Sequence, residues 1–538
     1  MKIFKLLKQY LLKHKYTTLF FIVISLITWI IIILMPLLTG RYIDNLVKLK
    51  NKKNLYMLIK LIITIGILEI PLNYLQNMLT IKLQSKISFD LNYATIEHVK
   101  KLPLIWFNNI NSSYLNQKIN TDSNALSSFF VNNIANIFIK LLTFISMLYI
   151  MFKINIKLSI ILIFFIPVYI ISYMLFKKPL YETSFKFKEK QNEFFSVMNE
   201  QLHNIKIVKI NSWFNLLGNE LIISFDSLFK TAISYSKISY FFSNIDLSIN
   251  RLSNIILLTY GGFQVINGSL TIGDFSIVSS YFNILLSCTS YFLNLGKNYQ
   301  NALASYARLK EILETPIELN GSKKITEIET IELKNVSFCY DNKLVIENFS
   351  YRFKKGNIYC IVGKNGSGKS TLVNLLLGLF NDYKGSIYYN HINIKDLDLY
   401  NVRENLIGVT EQEPTLINDT IKNNITYGLT SVSDHLIDKW NTKFNIHEFI
   451  NNLPNGLNSN IFENSSNISG GEKQKLSLIR TFIKDPQMIV FDEPNSALDK
   501  NGVLILESTL EEIKQNKIII LVTHNSDIIS IADKVISF

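Results

Sequence analysis

Eight residues, Gly363-Lys364-Asn365-Gly366-Ser367-Gly368-Lys369-Ser370, fill the pattern G-x-x-x-x-G-K-[ST]. Glycines at these positions let the backbone turn its N–H groups onto an anion, and a helix starting directly behind them adds the partial positive charge of its N-terminus. The lysine then reaches the terminal phosphates of a nucleotide, and the serine hydroxyl can ligate Mg²⁺. The expected phosphate-binding set is Gly363, Asn365, Gly366, Ser367, Gly368, Lys369, Ser370 and Thr371, with ATP and Mg²⁺ as ligands. Asp492 and Glu493 close the apolar run 488–491. There Asp492 is placed to bind Mg²⁺ directly or through a water, and Glu493 to polarise the attacking water. His524 follows a second apolar run and would contact the γ-phosphate.

These side chains need a scaffold. The run 358–362 supplies a strand before the glycine-rich turn, and the sequence from about Thr371 supplies the helix after it. From 331 onward the chain alternates short β-like runs, turn signals and amphipathic helices, the α/β pattern of a soluble domain, which the glycine-rich motif makes a P-loop ATPase domain. The preceding part is of another kind. The 538 residues are 48% hydrophobic, more than soluble cores need, so part of the chain is expected in a membrane.

Segments 17–40 and 158–176 contain no charged residue, and about 20 residues at ~1.5 Å each cross a hydrocarbon core of ~30 Å. Windows at 61–80, 129–152, 252–272 and 275–296 are weaker; the first two hold Glu69 and Lys140. The expectation is an all-α domain of six transmembrane helices over 1–310, a linker over 311–330 and the α/β domain over 331–538. The first span resembles a signal peptide but is too long and ends in Arg41 and Asp44, so it should stay attached. Lysines crowd the N-terminus and segments 82–128 and 177–238, while the turn 267–273 has none, which places the nucleotide site in the cytoplasm. Arg41, Lys48, Lys50, Lys52 and Lys53 break that rule. The two Lys-rich segments read as helices continuing out of the bilayer.

The formal charge of +13 does not imply nucleic acid as a partner, because the lysines scatter through loops and flanks instead of forming one stripe. Cys288, Cys339 and Cys360 show no C-x-x-C spacing and read as packing residues. The Ile, Asn and Lys bias points to an AT-rich bacterial genome, hence a bacterial plasma membrane.

The ATPase half contains further motifs in a fixed order. They are Gln412 in Val409-Thr410-Glu411-Gln412-Glu413-Pro414, Ser469-Gly470-Gly471-Glu472-Lys473-Gln474, Ser496-Ala497-Leu498-Asp499 and Val522-Thr523-His524. This order resembles the ATP-binding cassette transporters, and the serine-glycine-glycine signature separates that family from other P-loop ATPases. In the membrane half, 102–107, 268–274 and 308–313 resemble the six-helix exporter type with its ATPase fused behind it. The resemblance implies a half-transporter, so that two chains pair, most simply as a homodimer. It implies that Gln412 senses Mg²⁺ and the γ-phosphate, that Tyr340 stacks on adenine, and that Ser469, Gly470 and Gly471 cap the nucleotide of the partner chain. Both Glu493 and Ser469 are present, so neither half of a homodimer should be degenerate. Glu463 matches the family's acidic contact residue, while Phe462 and Ser465 replace two common glycines. The chain also stops at Phe538, where relatives usually run on.

Segments near 108–113 and 211–216, with Trp213 and Phe214, are the expected coupling points to the two cassettes. Polar residues Glu69, Asn73, Gln76 and Thr80 share one helical face, as do Ser280, Asn283, Ser287 and Asn294. Such stripes could line a wet cavity or make polar helix–helix contacts, with Lys140 a candidate partner for Glu69. An acidic cavity suits a cationic or amphipathic peptide. The expected function is ATP-driven export of a small secreted peptide, with lipids or hydrophobic drugs as alternatives. A membrane-anchored ATPase that regulates a partner without transport stays open, and membrane lipids are expected neighbours in every case.

Overall fold

Long apolar runs leave no room for turns, and among the described residues up to Glu314 there are six long helices. They are α1 (Lys15–Asp44), α2 (Lys52–Val99), α3 (Ser112–Ile154), α4 (Phe165–His203), α5 (Phe214–Ile266) and α6 (Ile272–Glu314). The computed structural model describes residues 9–49, 52–108, 110, 112–340, 343–429, 431–461 and 468–538. The 48 residues of α2 extend ~72 Å, more than twice the hydrocarbon core, so the predicted continuation of helices beyond the bilayer holds. Pro36, Pro71 and Pro179 lie inside α1, α2 and α4, which membrane helices tolerate.

Five stretches among the described residues are long and apolar enough to cross a membrane: Lys15–Val47, Lys52–Val99, Lys118–Ile154, Ile156–His203 and Ile272–Glu314. The remaining predicted span, 252–272, is helical only to Ile266, because Gly268 turns the chain with φ 71°. Asn250, Arg251, Asn254 and Gln264 dilute its apolar run. The α5 helix packs along α4, where the rings of Phe187 and Tyr235 stack at 5.8 Å.

Specific polar contacts fix how these helices meet. At the α5–α6 turn, Thr271 and Asp274 form a capping box, and Asp44 at the end of α1 accepts from Thr271 Oγ1 (2.7 Å) and the Gly273 N–H (2.9 Å). A Cβ on Gly273 would stand 2.2 Å from the Gly40 carbonyl, so this approach requires glycine. Further along, Arg308 of α6 clamps Asp122 of α3 through both carboxylate oxygens, with the Asp122 side chain only 2% exposed.

The polar stripe of α2 is a helix–helix contact at Gln76, which donates to Ser25 Oγ and accepts from Thr28 Oγ1 of α1, each at 3.3 Å. Glu69 makes no ion pair among the described residues, so the expected pairing with Lys140 is not formed. Helix α6 runs to Glu314, four residues into the expected linker, since its amphipathic pattern continues through Leu309 and Ile312, both buried.

The chain forms two compact units, Met1–Lys101 with Asn109–Pro316, and Leu102–Asn108 with Ile317–Phe538. In the second, strands β1 (Thr330–Tyr340), β2 (Lys343–Lys354), β4 (Lys384–Tyr389) and β5 (Ile392–Asn393) form an antiparallel sheet in the order β2-β1-β4-β5. Strands β3 (Asn357–Val362), β6 (Ile407–Thr410), β9 (Met488–Asp492), β10 (Ile518–Val522) and β11 (Lys534–Ser537) form a parallel sheet, ordered β11-β3-β10-β9-β6. A short pair, β7 (Asp419–Thr420) with β8 (Asn460–Ile461), stands apart. Every residue of β10 is buried, as expected for a strand covered on both faces. One core joins the antiparallel sheet to helix α7 (Lys369–Leu376) and one face of the parallel sheet. A second joins the other face to helices α8 (Asp434–Lys443), α9 (Gly470–Lys484) and α10 (Lys500–Ile513).

Cys288 and Cys360 are buried, but Cys339 is exposed, which corrects its reading as a packing residue. On β1 it alternates with buried Phe338 and faces outward.

Candidate nucleotide site

The parallel sheet brings the chemistry to one edge. The glycine-rich turn follows β3, Gln412 follows β6, Asp492 ends β9 and His524 follows β10. In open α/β sheets ligands bind beyond the carboxyl ends of the strands, and here a cleft of about 640 Å³ opens there. It is lined by Tyr340, Asn365 to Thr371, Gln412, Asp492 and Glu493.

Gly366 (φ 80°) and Gly368 (φ 104°) adopt left-handed conformations that shape the turn, and Gly368 caps α7. Ser367 Oγ is buried without a hydrogen-bond partner in this cradle, as expected where an anion's oxygen belongs. Lys369, only 8% exposed, donates its ammonium to the carbonyls of Gly363 (2.7 Å) and Lys364 (3.1 Å) and lies 3.1 Å from His524 Nε2. An ammonium has no acceptor, so His524 Nε2 accepts and the ring proton sits on Nδ1. Phosphate oxygens would replace these neutral acceptors with stronger, charge-assisted bonds.

Ser370 Oγ donates to Asp492 Oδ2 at 3.5 Å, so two of the three expected metal ligands stand side by side, while the third, Gln412, is hydrogen-bonded to Glu493. Burial, then the adjacent Glu493 carboxylate, raise the pKa of Asp492, while the Ser370 hydrogen bond and Lys369 oppose them. A hard divalent cation would relieve both effects, and the oxygen donors suit Mg²⁺. The Glu493 backbone is left-handed (φ 45°), held by its N–H donating to the Val522 carbonyl at 2.8 Å. Its carboxylate accepts from Gln412 Nε2 at 2.7 Å. A strained acidic residue held between two strand ends is a recurrent active-site feature.

Tyr340 reaches the cleft from β1, its ring held edge-on by Phe338 (5.0 Å, 90°) and Phe380 (5.8 Å, 86°). Gly363 joins the set through its carbonyl on Lys369, but its Cα faces Phe538, whose carbonyl a Cβ would meet at 2.5 Å. Ser469 caps α9 in a capping box with Glu472. Ser469, Gly470 and Gly471 do not line this cleft; Gly470 borders a neighbouring cavity of about 440 Å³ with Gln412 and Gln474. Glu463, Phe462 and Ser465 lie outside the described residues, as do parts of the segment 108–113. Trp213 and Phe214 are exposed at the start of α5.

Sequence reasoning missed Lys343, Leu344 and Val345, which line the cleft from β2. Their only sequence signal is that they lie a few positions after Tyr340. It also missed Asn495, whose amide oxygen accepts from Thr523 Oγ1 at 3.2 Å and so ties the ends of β9 and β10 together.

Fold and site together define a cassette-type P-loop ATPase fused behind a helical membrane unit. The family model described as ABC transporter transmembrane region matches residues 18–289, and the one described as ABC transporter matches residues 346–496. The chain belongs to the ABC transporter family.

Among curated relatives, an ATP-dependent lipid A-core flippase of Syntrophus aciditrophicus (strain SB) is 31% identical over 284 residues, 52% of this chain and 47% of that protein. ABC transporter B family member 1 of Dictyostelium discoideum is 27% identical over 414 residues, 75% of this chain and 45% of that protein. The chain thus spans about half the length of these relatives. A Staphylococcus aureus protein (strain NCTC 8325 / PS 47), provisionally described as a multidrug export ATP-binding/permease protein, is 27% identical over 76% of this chain and 72% of its own length. The fold is that of a solved bacterial Atm1-family ABC exporter with ATP bound, at TM-score 0.87 and 19% identity, covering 97% of this chain and 93% of that one.

Proposed function

We propose that this chain hydrolyses ATP to export an amphipathic substrate from the cytoplasm or inner leaflet. The observation that carries the reading is the convergence of Lys369, Ser370, Gln412, Asp492, Glu493 and His524 at the strand ends of a chain whose other half is six long helices. Bound ATP and Mg²⁺ supply the scissile phosphoanhydride and its charge neutralisation. Lys369 and the turn's N–H groups hold the phosphates, and Tyr340 stacks on the base. Ser370, Asp492 and Gln412 hold the cation. Glu493, held by Gln412 until water arrives, orients and polarises that water, and His524 contacts the γ-phosphate.

The signature residues Ser469, Gly470 and Gly471 lie outside their own cleft. Their proposed task is to cap the nucleotide of a second copy, so the working form is a homodimer. The boundaries 1–310, 311–330 and 331–538 describe the division of labour, with the helix end at Glu314 as the finer join.

A small secreted peptide is one substrate reading, supported by the unpaired acidic Glu69 on α2. Lipids and hydrophobic drugs are the other, supported by what the named relatives are said to move. Glu69→Gln should weaken export of a cationic peptide more than of a neutral one; equal effects on both reject the peptide reading.

The test of the whole proposal is ATP hydrolysis by the purified chain in liposomes, with Glu493→Gln as the blank and accumulation of peptides, lipids and drugs in inside-out vesicles as the second readout. Hydrolysis with accumulation supports export. Hydrolysis without accumulation of any of them would mark a regulatory ATPase instead.

A further inference from the structure

A cavity of about 440 Å³ lies between α3, α4 and α6, remote in sequence from every ATPase motif. Its polar lining is mostly carboxamide: Asn132, Asn133 and Asn136 from α3, and Asn298 and Asn301 from α6. Phe129 and two alanines supply an apolar part. The inner amides are locked into place. Asn133 Oδ1 accepts from Tyr291 OH at 2.7 Å while its Nδ2 donates to the Phe129 carbonyl, and Asn301 Oδ1 accepts from Ser184 Oγ at 3.3 Å. Asn298 has no hydrogen-bond partner among the described residues.

The one charged group in the described lining is Lys188 of α4, half-buried and without an ion pair among the described residues. The acidic residue in its electrostatic reach, Asp122, is already clamped by Arg308. No Asp or Glu is among the described residues that line the cavity. A half-buried ammonium surrounded by neutral amides lacks a counter-charge, and a carboxamide wall offers N–H donors to an anion without competing negative charge.

We propose that this cavity binds the phosphate headgroup of an anionic amphiphile, with Lys188 as the charge-reading residue, Asn298 as a free amide donor and Phe129 beside the first part of the apolar tail. This names the substrate class under the export reading, on which the word substrate rests; the binding itself does not depend on transport. The site is distinct from the Glu69 face of α2, which does not line it.

The full chain in phosphatidylcholine nanodiscs, without nucleotide, would be titrated with short-chain fluorescent phosphatidic acid, with a phosphatidylcholine probe of the same chains, and with inorganic phosphate as competitor. Phosphatidic acid should bind at least about tenfold tighter than phosphatidylcholine. Lys188→Gln and Asn298→Asp should collapse that ratio toward one, and Lys188→Arg should keep it. Because the readout is a ratio within one preparation, a misfolded variant shows itself by losing both probes, and the Arg variant then decides.

Equal affinities for the two headgroups, or an unchanged ratio in Lys188→Gln, overturn the proposal. Displacement of the lipid by millimolar inorganic phosphate would also overturn it, marking a free-anion site. An intact ratio in a protein that moves no lipid would refute export and leave the site standing.

Discussion

Replacing Tyr340 with alanine separates an adenine platform from a plain core aromatic. Stacking of a base on an aromatic side chain contributes roughly 1–3 kcal/mol. Here the ring is partly buried and pinned edge-on by Phe338 and Phe380, so its orientation is set before the base arrives and little ordering opposes stacking. The expected loss is therefore placed in the middle of that range, about 1.5–2 kcal/mol, or about 10- to 30-fold in Kd. The assay compares ATP with inorganic tripolyphosphate in equilibrium titrations. Tyr340→Ala should weaken ATP by that factor and leave tripolyphosphate unchanged, and Tyr340→Phe should bind both like the parent. Phe380→Ala, which frees the ring to tilt, should fall between. Parental ATP affinity in Tyr340→Ala, or equal losses for both ligands, would refute the reasoning, since the first denies stacking and the second reveals a damaged turn.

Glu493→Gln keeps size and a hydrogen-bonding partner for Gln412 but cannot polarise water, so phosphate release should fall about 10²- to 10⁴-fold with ATP binding retained; joint loss of both would reassign the residue to structure. Asp492 is an acid with a raised folded-state pKa, so the folded state holds a proton that the unfolded state has released. Its charge therefore lowers stability as pH rises from the usual Asp range through the raised value, and keeps it lowered above. Asp492→Asn should accordingly be more stable than the parent near neutral pH without Mg²⁺, with the difference in unfolding temperature vanishing as pH falls; a constant difference would deny the charge origin. Arg308→Ala strands the Asp122 carboxylate, 2% exposed, and should cost about 3–5 kcal/mol in thermal or denaturant unfolding, whereas Asp122→Asn with Arg308→Gln should cost much less.

The residues of the candidate site were legible because the proposed chemistry demands fixed residue types in a fixed order, and the strands that carry them are short apolar runs bounded by turns. The pairings across the site were not. Gln412 and Glu493 are 81 residues apart and Lys369 and His524 are 155 apart, and what brings them together is the order β10-β9-β6 and β3-β10, which no local pattern states. Cys339 was misread because Phe338, Cys339 and Tyr340 stand together in a strand-like stretch, while the strand alternates and slips register between Phe338 and Cys339. In the membrane half two spans were plain from uninterrupted apolar runs and four came from weaker windows, and five stretches among the described residues are long and apolar enough to cross. The sixth is blurred by polar residues on α5, and the Asp122–Arg308 clamp joins residues 186 positions apart.

The contacts inside the ATPase unit explain how its cleft and its signature helix can respond together. Helix α9, which Ser469 caps, is tied to the loop that carries Gln412: Arg480 donates through Nε to the Asn424 carbonyl at 2.7 Å and through its terminal nitrogens to the Thr415 carbonyl at 3.3 Å. The same helix reaches the β9 end through Gln474, whose Nε2 donates to the Pro494 carbonyl at 3.1 Å. Arg480 is buried enough that desolvation lowers its pKa, so its hydrogen bonds are costly to break and link the three segments. The weak point of this frame is the exposed Gln412–Glu493 bond, a single contact that water and phosphate compete for. On the proposed roles, a nucleotide that drew Glu493 toward water would free Gln412, and a shift of its loop would pull on α9 and the cap at Ser469 through these bonds. The coupling of an occupied cleft to a moved signature residue then requires no contact beyond those already present in one chain.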